Sequence, residues 1–210
     1  MTLAHGTDTL ETARLVLRRI TPDDLPFFTR IHALPEVVQY LYGRPRSPEE
    51  TAAWLQANLE SHQQRALGKL TVLRKADGAL IGRCGLTDVV VESLAQESGV
   101  RRGWFGDAKA PAQGRLTFEC ELGYTFDPAA WGQGFATEAV RCVRDYARDA
   151  LHLSYAISAI DPRNARSRRV AEGLGARTDG KMDIAGRVFD RYLWPLAPGG
   201  TPRPHSASTK

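Results

Sequence analysis

Hydrophobic and polar positions at the start of the chain predict one strand followed by two helices. Residues 14–20, RLVLRRI, alternate apolar and basic side chains, which is typical of a half-buried strand. Thr21 and Pro22 then mark the beginning of a helix that we expect to continue to about His32. Ser47, which is followed by a proline and two glutamates, marks a second helix in the same way.

Two strands and a long loop are expected in the middle of the chain. The apolar runs LTVLRK and ALIGRCGLTDV are joined at Asp77-Gly78, a dipeptide that favours a hairpin turn. Residues 96–115 are rich in glycine and charge and predict a long flexible loop between strands. Because loops of this length are uncommon without a function, this one either borders a substrate site or is a surface insertion.

The last third of the chain changes from strand to helix and back. Residues 116–126, LTFECELGYTF, alternate so that Glu119 and Glu121 share one face of a strand. Apolar residues from Ala139 to Leu151 then keep helical spacing. The remaining elements are a strand at residues 154–160, a short helix ended by Gly173 and Gly175, and a terminal strand, RVFDRYLWPL. This order predicts an α+β or mixed α/β layer rather than a regular series of βαβ units.

The composition is that of a globular protein with one folded unit. Of its 210 residues, 42% are hydrophobic and 25% are charged. We expect a single domain over residues 13–196, a flexible segment over residues 1–12 and a disordered tail over residues 197–210. No stretch approaches the roughly 18 consecutive apolar residues of a membrane span, and the first residues do not resemble an export signal. We therefore expect no contact with a membrane.

Charge and cysteine content argue against several other classes of protein. The net charge of +4 is too small to indicate a nucleic-acid partner, although basic residues cluster in the segment DPRNARSRR. The three widely spaced cysteines indicate reduced thiols in a cytoplasmic protein. The five histidines form no ligand pattern, so we expect no metal site.

The segment WGQGFATEA, residues 131–139, lies where a predicted strand is followed by a helix. The first turn of a helix has backbone N–H groups without internal partners and a partial positive charge. Small residues at Gly132, Gly134 and Ala136 would let an anion lie directly on these amides. A Walker loop needs Gly-Lys-Ser/Thr here, and a dinucleotide fingerprint needs a glycine in place of Thr137, so neither motif is present. The pattern predicts a pyrophosphate site of another kind.

This segment resembles the pyrophosphate loop of the GNAT N-acetyltransferases, Gln/Arg-x-x-Gly-x-Gly/Ala, with Trp131 at the usual Gln or Arg position. The run from Gly123-Tyr124 to WGQGFATEA is similar to the ribosomal-protein (RimJ/RimL-like) branch of that family. Similarity continues at RLVLRRITPDDL, LIGRCGL and DPRNARSRRVAEGLGA, and it covers about residues 14–196. The resemblance implies the GNAT fold: a central, mostly antiparallel sheet with helices on both faces and two parallel strands that splay apart.

The same resemblance implies that acetyl-CoA lies between the strands that end near Phe126 and Ile160. Its pyrophosphate would contact the amides of the glycine-rich segment, and its pantetheine chain would contact the first strand and Asn164, which is also a good helix cap. Trp131 would either line the groove or pack in the core. The cofactor-binding residues implied are Tyr124, Phe126, Trp131, Gly132, Gln133, Gly134, Phe135, Ala136, Thr137, Asn164, Ser167 and Arg169.

The tyrosine with which many members of the family protonate the departing thiolate is absent, since the corresponding residue is Ala171. Ser167 lies one helical turn earlier and matches a serine of the ribosomal-protein branch. It is the candidate general acid, with a plain surface serine as the alternative. Glu121 and Glu119 are candidate bases, or simply the polar face of a strand.

The expected reaction is acetyl transfer from acetyl-CoA to a primary amine by direct attack on the thioester. Deprotonating a lysine amine of pKa about 10.4 at pH 7 costs about 4–5 kcal/mol, whereas an α-amine of pKa about 8 costs only about 1 kcal/mol. A base is therefore essential for a lysine acceptor and only a modest help for an α-amine. The acceptor itself is left open, with a protein N-terminal α-amine as one candidate and a small amine such as an aminoglycoside or polyamine as another. A non-catalytic acyl-CoA-binding module and a nucleotide-binding protein are the alternatives, and a homodimer is left open.

Overall fold

The computed structural model describes residues 9–64, 68–93, 100–105 and 114–200, which form one mixed sheet with helices packed against it. The strands are β1 (Thr9–Glu11), β2 (Leu15–Arg19), β3 (Lys69–Arg74), β4 (Leu80–Ser93), β5 (Val100–Phe105), β6 (Arg115–Phe126), β7 (Tyr155–Ile160), β8 (Arg177–Ile184) and β9 (Arg187–Pro195). The helices are α1 (Leu25–His32), α2 (Pro35–Val38), α3 (Pro48–Gln64), α4 (Phe135–Asp149) and α5 (Ala165–Gly173), with 3-10 turns at Pro22–Asp24 and Pro128–Ala130.

The helix starts predicted at Thr21 and Ser47 are confirmed, whereas α2, which lies between them, has no counterpart among the predicted elements. Ser47 Oγ accepts a hydrogen bond from Glu50 N at 3.2 Å, and the Glu50 carboxylate accepts one from Ser47 N at 2.9 Å. The two residues thus form a capping box at the beginning of α3. After Thr21 the chain first makes a 3-10 turn, where the Asp24 carboxylate accepts a hydrogen bond from Thr21 N at 2.9 Å. Helix α1 then ends at His32, as expected.

Six strands of the sheet form a closed ring, in which the pairing between β6 and β7 is the shortest among the described residues. Strands β1 to β4 are successive antiparallel neighbours, and Gly78 has a φ of +70° in the predicted β3–β4 hairpin. Strand β4 pairs antiparallel with β5 and β6, and the ring continues through β8, β9 and β7. Within the described residues, β6 and β7 share one parallel register pair, Glu121 with Ile157. Beyond that pair they separate, which is the splayed parallel pair that the resemblance implies.

The prediction of a continuous loop over residues 96–115 is wrong, because Val100–Phe105 form β5 between β4 and β8. Gly103 breaks the alternation that would have revealed this strand. A Cβ at Gly103 would lie 2.5 Å from Met182 Sδ, so the Met182 side chain packs against β5 in space that a side chain at position 103 would occupy. Most of the rest of the expected loop lies outside the described residues.

The folded unit begins earlier than the boundary expected after residue 12. Thr9–Glu11 pair with β2, and the side chain of Leu10 is buried in the main core. Residues 1–8 of the expected N-terminal segment and residues 201–210 of the expected tail lie outside the described residues.

Helix α4 contributes most of the helical side of the main core. Of the residues predicted from its spacing, Ala139, Val140, Val143 and Ala147 are buried against the sheet. Leu151, the last of the set, lies beyond the end of α4 at Asp149 and is only partly buried. A second cluster joins four strands of the ring, and its members are Val89, Val91, Ile157, Met182 and Leu193. Helices α1 and α3 pack together through a third cluster. No helix among the described residues is long and apolar enough to cross a membrane.

Candidate active site

A cleft of about 990 Å³ lies beyond the point where β6 and β7 separate. Its walls are the end of β6, the turn that begins α4, the first turns of α5 and residues 36–41 around α2. The predicted cofactor-binding residues that line it are Tyr124, Phe126, Trp131, Gly132, Gly134, Phe135, Ala136, Thr137, Asn164, Ser167 and Arg169. Residues from two separate motifs of the sequence therefore meet at one opening.

The turn before α4 leaves its backbone amides open to this cleft. Gly132 and Gly134 have φ values of +76° and +80°, which side-chain-bearing residues rarely adopt. A Cβ on Gly132 would meet no atom within 4 Å, and one on Gly134 would meet only Arg14 Nη2, at 3.4 Å. Among the described residues, no acceptor takes a hydrogen bond from the N–H groups of residues 132–137. These amides and the positive end of a 15-residue helix suit an anion such as a diphosphate.

Glu138 anchors this turn to the segment before β2. Its carboxylate accepts hydrogen bonds from Thr12 Oγ1 at 2.6 Å, Arg14 N at 2.9 Å and Arg14 Nε at 2.7 Å. Arg14 Nη1 also donates to Gln133 O at 3.0 Å, and its guanidinium lies 4.6 Å from the centroid of the Phe135 ring. Burial opposes the ionisation of Glu138, but these hydrogen bonds and the charge of Arg14 outweigh it and hold the pKa of Glu138 below its usual value. Sequence reasoning missed this pair because the partners are far apart along the chain.

Two other residues of the segment differ in what they offer to the cleft. The Gln133 side chain is exposed and bends back, donating from Nε2 to Ala129 O at 2.9 Å, so only its backbone belongs to the turn. Trp131 combines both of its predicted positions, because it lines the cleft and packs against the core. Its Nε1 donates to Phe126 O at 2.9 Å, and the Arg166 guanidinium lies 4.7 Å from its ring centroid.

Asn164 and Ser167 meet at the beginning of α5. Asn164 Oδ1 accepts a hydrogen bond from Ser167 N at 3.1 Å, which caps the helix. This bond uses the main chain of Ser167, so its hydroxyl, on a residue that lines the cleft, is not taken up by the helix cap. Ala171, at the position of the missing tyrosine, is buried in the core and presents no polar group.

Tyr124 brings a second hydroxyl to the same wall of the cleft. Its OH lies 3.5 Å from Ser167 O, at the outer limit of a hydrogen bond. Burial raises the pKa of Tyr124 to about 12, against a smaller opposing effect of the contact with Ser167. The phenol is therefore neutral at physiological pH and faces a ligand as a hydroxyl.

The two candidate bases lie in different surroundings on β6. Glu121, where β6 and β7 separate, places its Oε2 2.8 Å from Nζ of the largely buried Lys69. Glu119 lies two residues farther from the cleft, and its Oε2 is 2.7 Å from Nη2 of the fully buried Arg191. Neither glutamate is among the described residues that line the cleft. Glu121 is the nearer of the two along the strand.

The basic cluster DPRNARSRR divides into two sets. Arg163 Nη2 lies 2.8 Å from Asp161 Oδ2, and Arg168 faces a carboxylate of its own helix. Arg166 and Arg169 line the cleft and have no carboxylate partner among the described residues. The cleft thus offers amide, hydroxyl and guanidinium donors, and within the described residues no group of three or more His, Cys, Asp or Glu could hold a metal ion.

Comparisons with known proteins agree with this geometry. Residues 14–177 match the family model of the acetyltransferase (GNAT) domain. The uncharacterized N-acetyltransferase p20 of Bacillus licheniformis is 25% identical over 194 residues, which cover 90% of this chain and 96% of the relative. An acetyltransferase from Agrobacterium tumefaciens str. C58 has a similar structure, with a TM-score of 0.68 at 24% identity over 92% of this chain and 98% of its own. RimL, a ribosomal L7/L12 alpha-N-protein acetyltransferase in complex with coenzyme A, has a TM-score of 0.62 at 15% identity over 89% and 96% of the two chains.

The family match extends from Arg14 to the beginning of β8. It therefore includes the separating strands, the turn that contains Gly132 and Gly134 before α4, which we call the glycine turn, and the hydroxyls of Tyr124 and Ser167. Members of this family use acetyl-CoA as the acetyl donor. The chain is an acyltransferase that belongs to the GNAT acetyltransferase family.

Proposed function

We propose that this protein transfers the acetyl group of acetyl-CoA to a primary amine by direct attack of the amine on the thioester. The observation that carries the proposal is the glycine turn, whose unpartnered amides open on the cleft beyond the parted ends of β6 and β7. The open space above Gly132 and Gly134 is the space that a phosphate group needs in order to reach the amides. Acetyl-CoA supplies the activated acetyl thioester.

The residues of the cleft divide the binding of this donor among three kinds of group. The amides of residues 132–137 would hold the pyrophosphate, and Arg166 and Arg169 would offset the charge that remains. Beyond Glu121, the edge of β6 that faces β7 has no strand partner among the described residues. Ser158 Oγ and Trp131 Nε1 donate to Leu122 O and Phe126 O on this edge, so the main chain of Tyr124 between them would contact the pantetheine chain. The side-chain N–H groups of Asn164, which have no acceptor among the described residues, would add to this contact.

Ser167 is the proposed general acid. Its hydroxyl is free of the helix cap and faces the cleft beside Tyr124, so Ser167 Oγ would donate a proton to the departing thiolate. Tyr124 keeps its own proton at neutral pH and would orient the serine or the thiol sulfur by hydrogen bonding. Ser167 and Tyr124 would thus together take the role of the proton-donating tyrosine, whose position is occupied here by Ala171.

Glu121 is the better placed of the two candidate bases. Lys69 holds its carboxylate at the point where the strands separate, and a water molecule would carry the proton from the acceptor amine to it. Glu119 instead forms a buried ion pair with Arg191 inside the ring, which favours a structural role. An α-amine needs less help from a base than a lysine amine does, so an N-terminal amine suits this modest arrangement.

The proposal is tested by measuring free thiol while the protein, acetyl-CoA and a panel of primary amines are incubated together. The panel includes short peptides, polyamines and aminoglycosides, and mass spectrometry identifies the acetylated amine. We expect thiol release that depends on at least one amine. If acetyl-CoA binds but no amine promotes release, the protein is a non-catalytic acyl-CoA-binding module. If a nucleotide but not acetyl-CoA raises the melting temperature, the assignment of the glycine turn is wrong.

A further inference from the structure

Two arginines near Trp54 of α3 and His32 of α1 have no carboxylate partner among the described residues. Arg83, on β4, is only 5% exposed, and its Nη2 lies 3.4 Å from the Tyr42 hydroxyl. The guanidinium of Arg46, in the segment before α3, stacks 3.5 Å from the centroid of the Tyr42 ring. Neither arginine has an acidic oxygen within 4 Å among the described residues, and Arg83 Nε and Arg46 Nη1 have no hydrogen-bond acceptor there. We call Arg46, Arg83 and Tyr42 the arginine cluster.

The other groups around the arginine cluster do not neutralise it. His32 is fully buried, and burial, followed by the charges of Arg83 and Arg46, lowers the pKa of His32 to about 3, so the imidazole is neutral. The carboxylate that acts electrostatically on Arg46 is that of Glu50, but it is engaged by Arg44 and by the Ser47 amide. Trp54 adds only an aromatic face, 5.1 Å from the Arg83 guanidinium.

A buried cation without a counterion is costly, and aromatic stacking offsets only part of that cost. Another buried arginine of this protein, Arg191, avoids the cost by pairing with the carboxylate of Glu119. The arginine cluster therefore suits the binding of an anion that is not part of the chain. Two guanidiniums that both contact Tyr42 favour a carboxylate, because a guanidinium can bind a carboxylate through two N–H groups.

The arginine cluster adjoins the cleft through β6. Arg83 is the direct register partner of Thr125, which lines the cleft and whose buried hydroxyl has no partner among the described residues. Because side chains alternate along a strand, Thr125 faces away from Tyr124 and towards the arginine cluster. On the other side, Leu41 lines the cleft and is the chain neighbour of Tyr42. The arginine cluster is thus separated from the glycine turn and lies next to the part of the cleft that the donor's phosphates do not need.

We propose that the arginine cluster, with Thr125, binds a carboxylate of the acceptor, so that the preferred acceptor is a primary amine that also carries a carboxylate. The inference rests on the proposed function and narrows its substrate class. It disfavours polyamines and aminoglycosides, because two uncompensated cations would repel a polycation. It favours a peptide with an acidic residue near its N-terminus, or a free amino acid.

The test compares matched acceptors that differ by one charge. Peptides with Asp or Glu at the first, second or third position are compared with the same peptides containing Asn or Gln, and free amino acids with their amides. The wild-type kcat/KM is expected to be about 10- to 100-fold higher for the acids, mainly through KM, which is the range of one charge-assisted contact. The position at which the preference is largest distinguishes a peptide side chain from a free α-carboxylate.

Arg83→Gln identifies the source of the preference. We expect the acid-to-amide ratio of kcat/KM to fall towards one in this variant, whereas Arg74→Gln, which removes an exposed arginine paired with Asp77, keeps the wild-type ratio. If Arg83→Gln lowers kcat/KM for both members of each pair by the same factor, Arg83 is structural and the inference is overturned. Arg46→Gln provides a second variant with the same expectation if Arg83→Gln does not fold.

The failure of this inference differs from the failure of the proposed function. Equal use of acids and amides by the wild-type protein overturns the carboxylate site and leaves acetyl transfer intact. Absence of thiol release with every amine overturns both.

Discussion

Replacing Gly134 with valine changes the part of the molecule on which donor binding depends. Gly134 has a φ of +80° and lines the cleft, and a Cβ there would project into space that only the end of Arg14 approaches. The branched side chain of valine would occupy the space above the amides of residues 132–137. Gly78 offers a matched control, because its φ is +70° and a Cβ on it would also meet open space, but it lies in the β3–β4 hairpin.

The two substitutions share one cost and differ in another. A left-handed backbone costs a side-chain-bearing residue about 1–2 kcal/mol, so both variants should lose that much stability. For a domain of this size the melting temperature would fall by about 2–8 °C in each. Only Gly134→Val would also remove contacts with the donor. Losing two charge-assisted hydrogen bonds to phosphate, at about 1.5–3 kcal/mol each, would raise the Kd for coenzyme A by about 10²- to 10⁴-fold.

Isothermal titration calorimetry with coenzyme A measures this difference, with thermal melts of both variants recorded beside it. We expect Gly78→Val to bind coenzyme A as the wild type does, and Gly134→Val to show a greatly weakened affinity at a similar melting temperature. Equal affinities in the two variants would refute the placement of the pyrophosphate on this turn.

Three further predictions concern catalysis, pH and packing. Ser167→Ala should lower kcat by about 10²- to 10⁴-fold with little change in coenzyme A affinity, because the helix cap uses only the Ser167 amide; an unchanged kcat would remove its role as general acid. Since the pKa of Glu138 is lowered by folding, its contribution to stability is present above its unfolded pKa and is lost as the pH falls through the folded value. The melting temperature of the wild type should thus drop more between pH 6 and pH 3 than that of Glu138→Gln, and parallel curves would contradict this. Gly103→Ala should cost about 1–3 kcal/mol in chemical denaturation, because the new methyl group would clash with the buried Met182 side chain, and full wild-type stability would show that this side chain can repack.

The elements that the sequence predicts well are those in which local pattern and tertiary position agree. The apolar spacing of α4 matches its buried face, and Ser47 and Gly78 mark a helix start and a turn by local chemistry alone. Strand β5 is not predicted because it is defined by its pairing with β4 and β8 rather than by its own sequence pattern. Gly103 weakens the strand pattern locally, yet its lack of a side chain leaves room for the Met182 side chain of β8.

The glycine turn and the capping role of Asn164 were accessible to sequence reasoning because each depends on residues that are adjacent along the chain. The surroundings of Glu119 and Glu121 were not, since alternation places both on one face without showing that Arg191 holds one and Lys69 the other. The arginine cluster was equally inaccessible. It joins a residue of β4 to the segment before α3, and its defining property is that the described residues bring no carboxylate to it in three dimensions.

Nuclear magnetic resonance of the ¹⁵N-labelled protein tests the central claim most directly, because it observes each backbone amide separately while coenzyme A is added. We predict the largest chemical-shift changes at the amides of residues 132–137, with further changes at the end of β6 and at Asn164. Binding that leaves the amides of residues 132–137 unperturbed and shifts signals elsewhere would contradict the account.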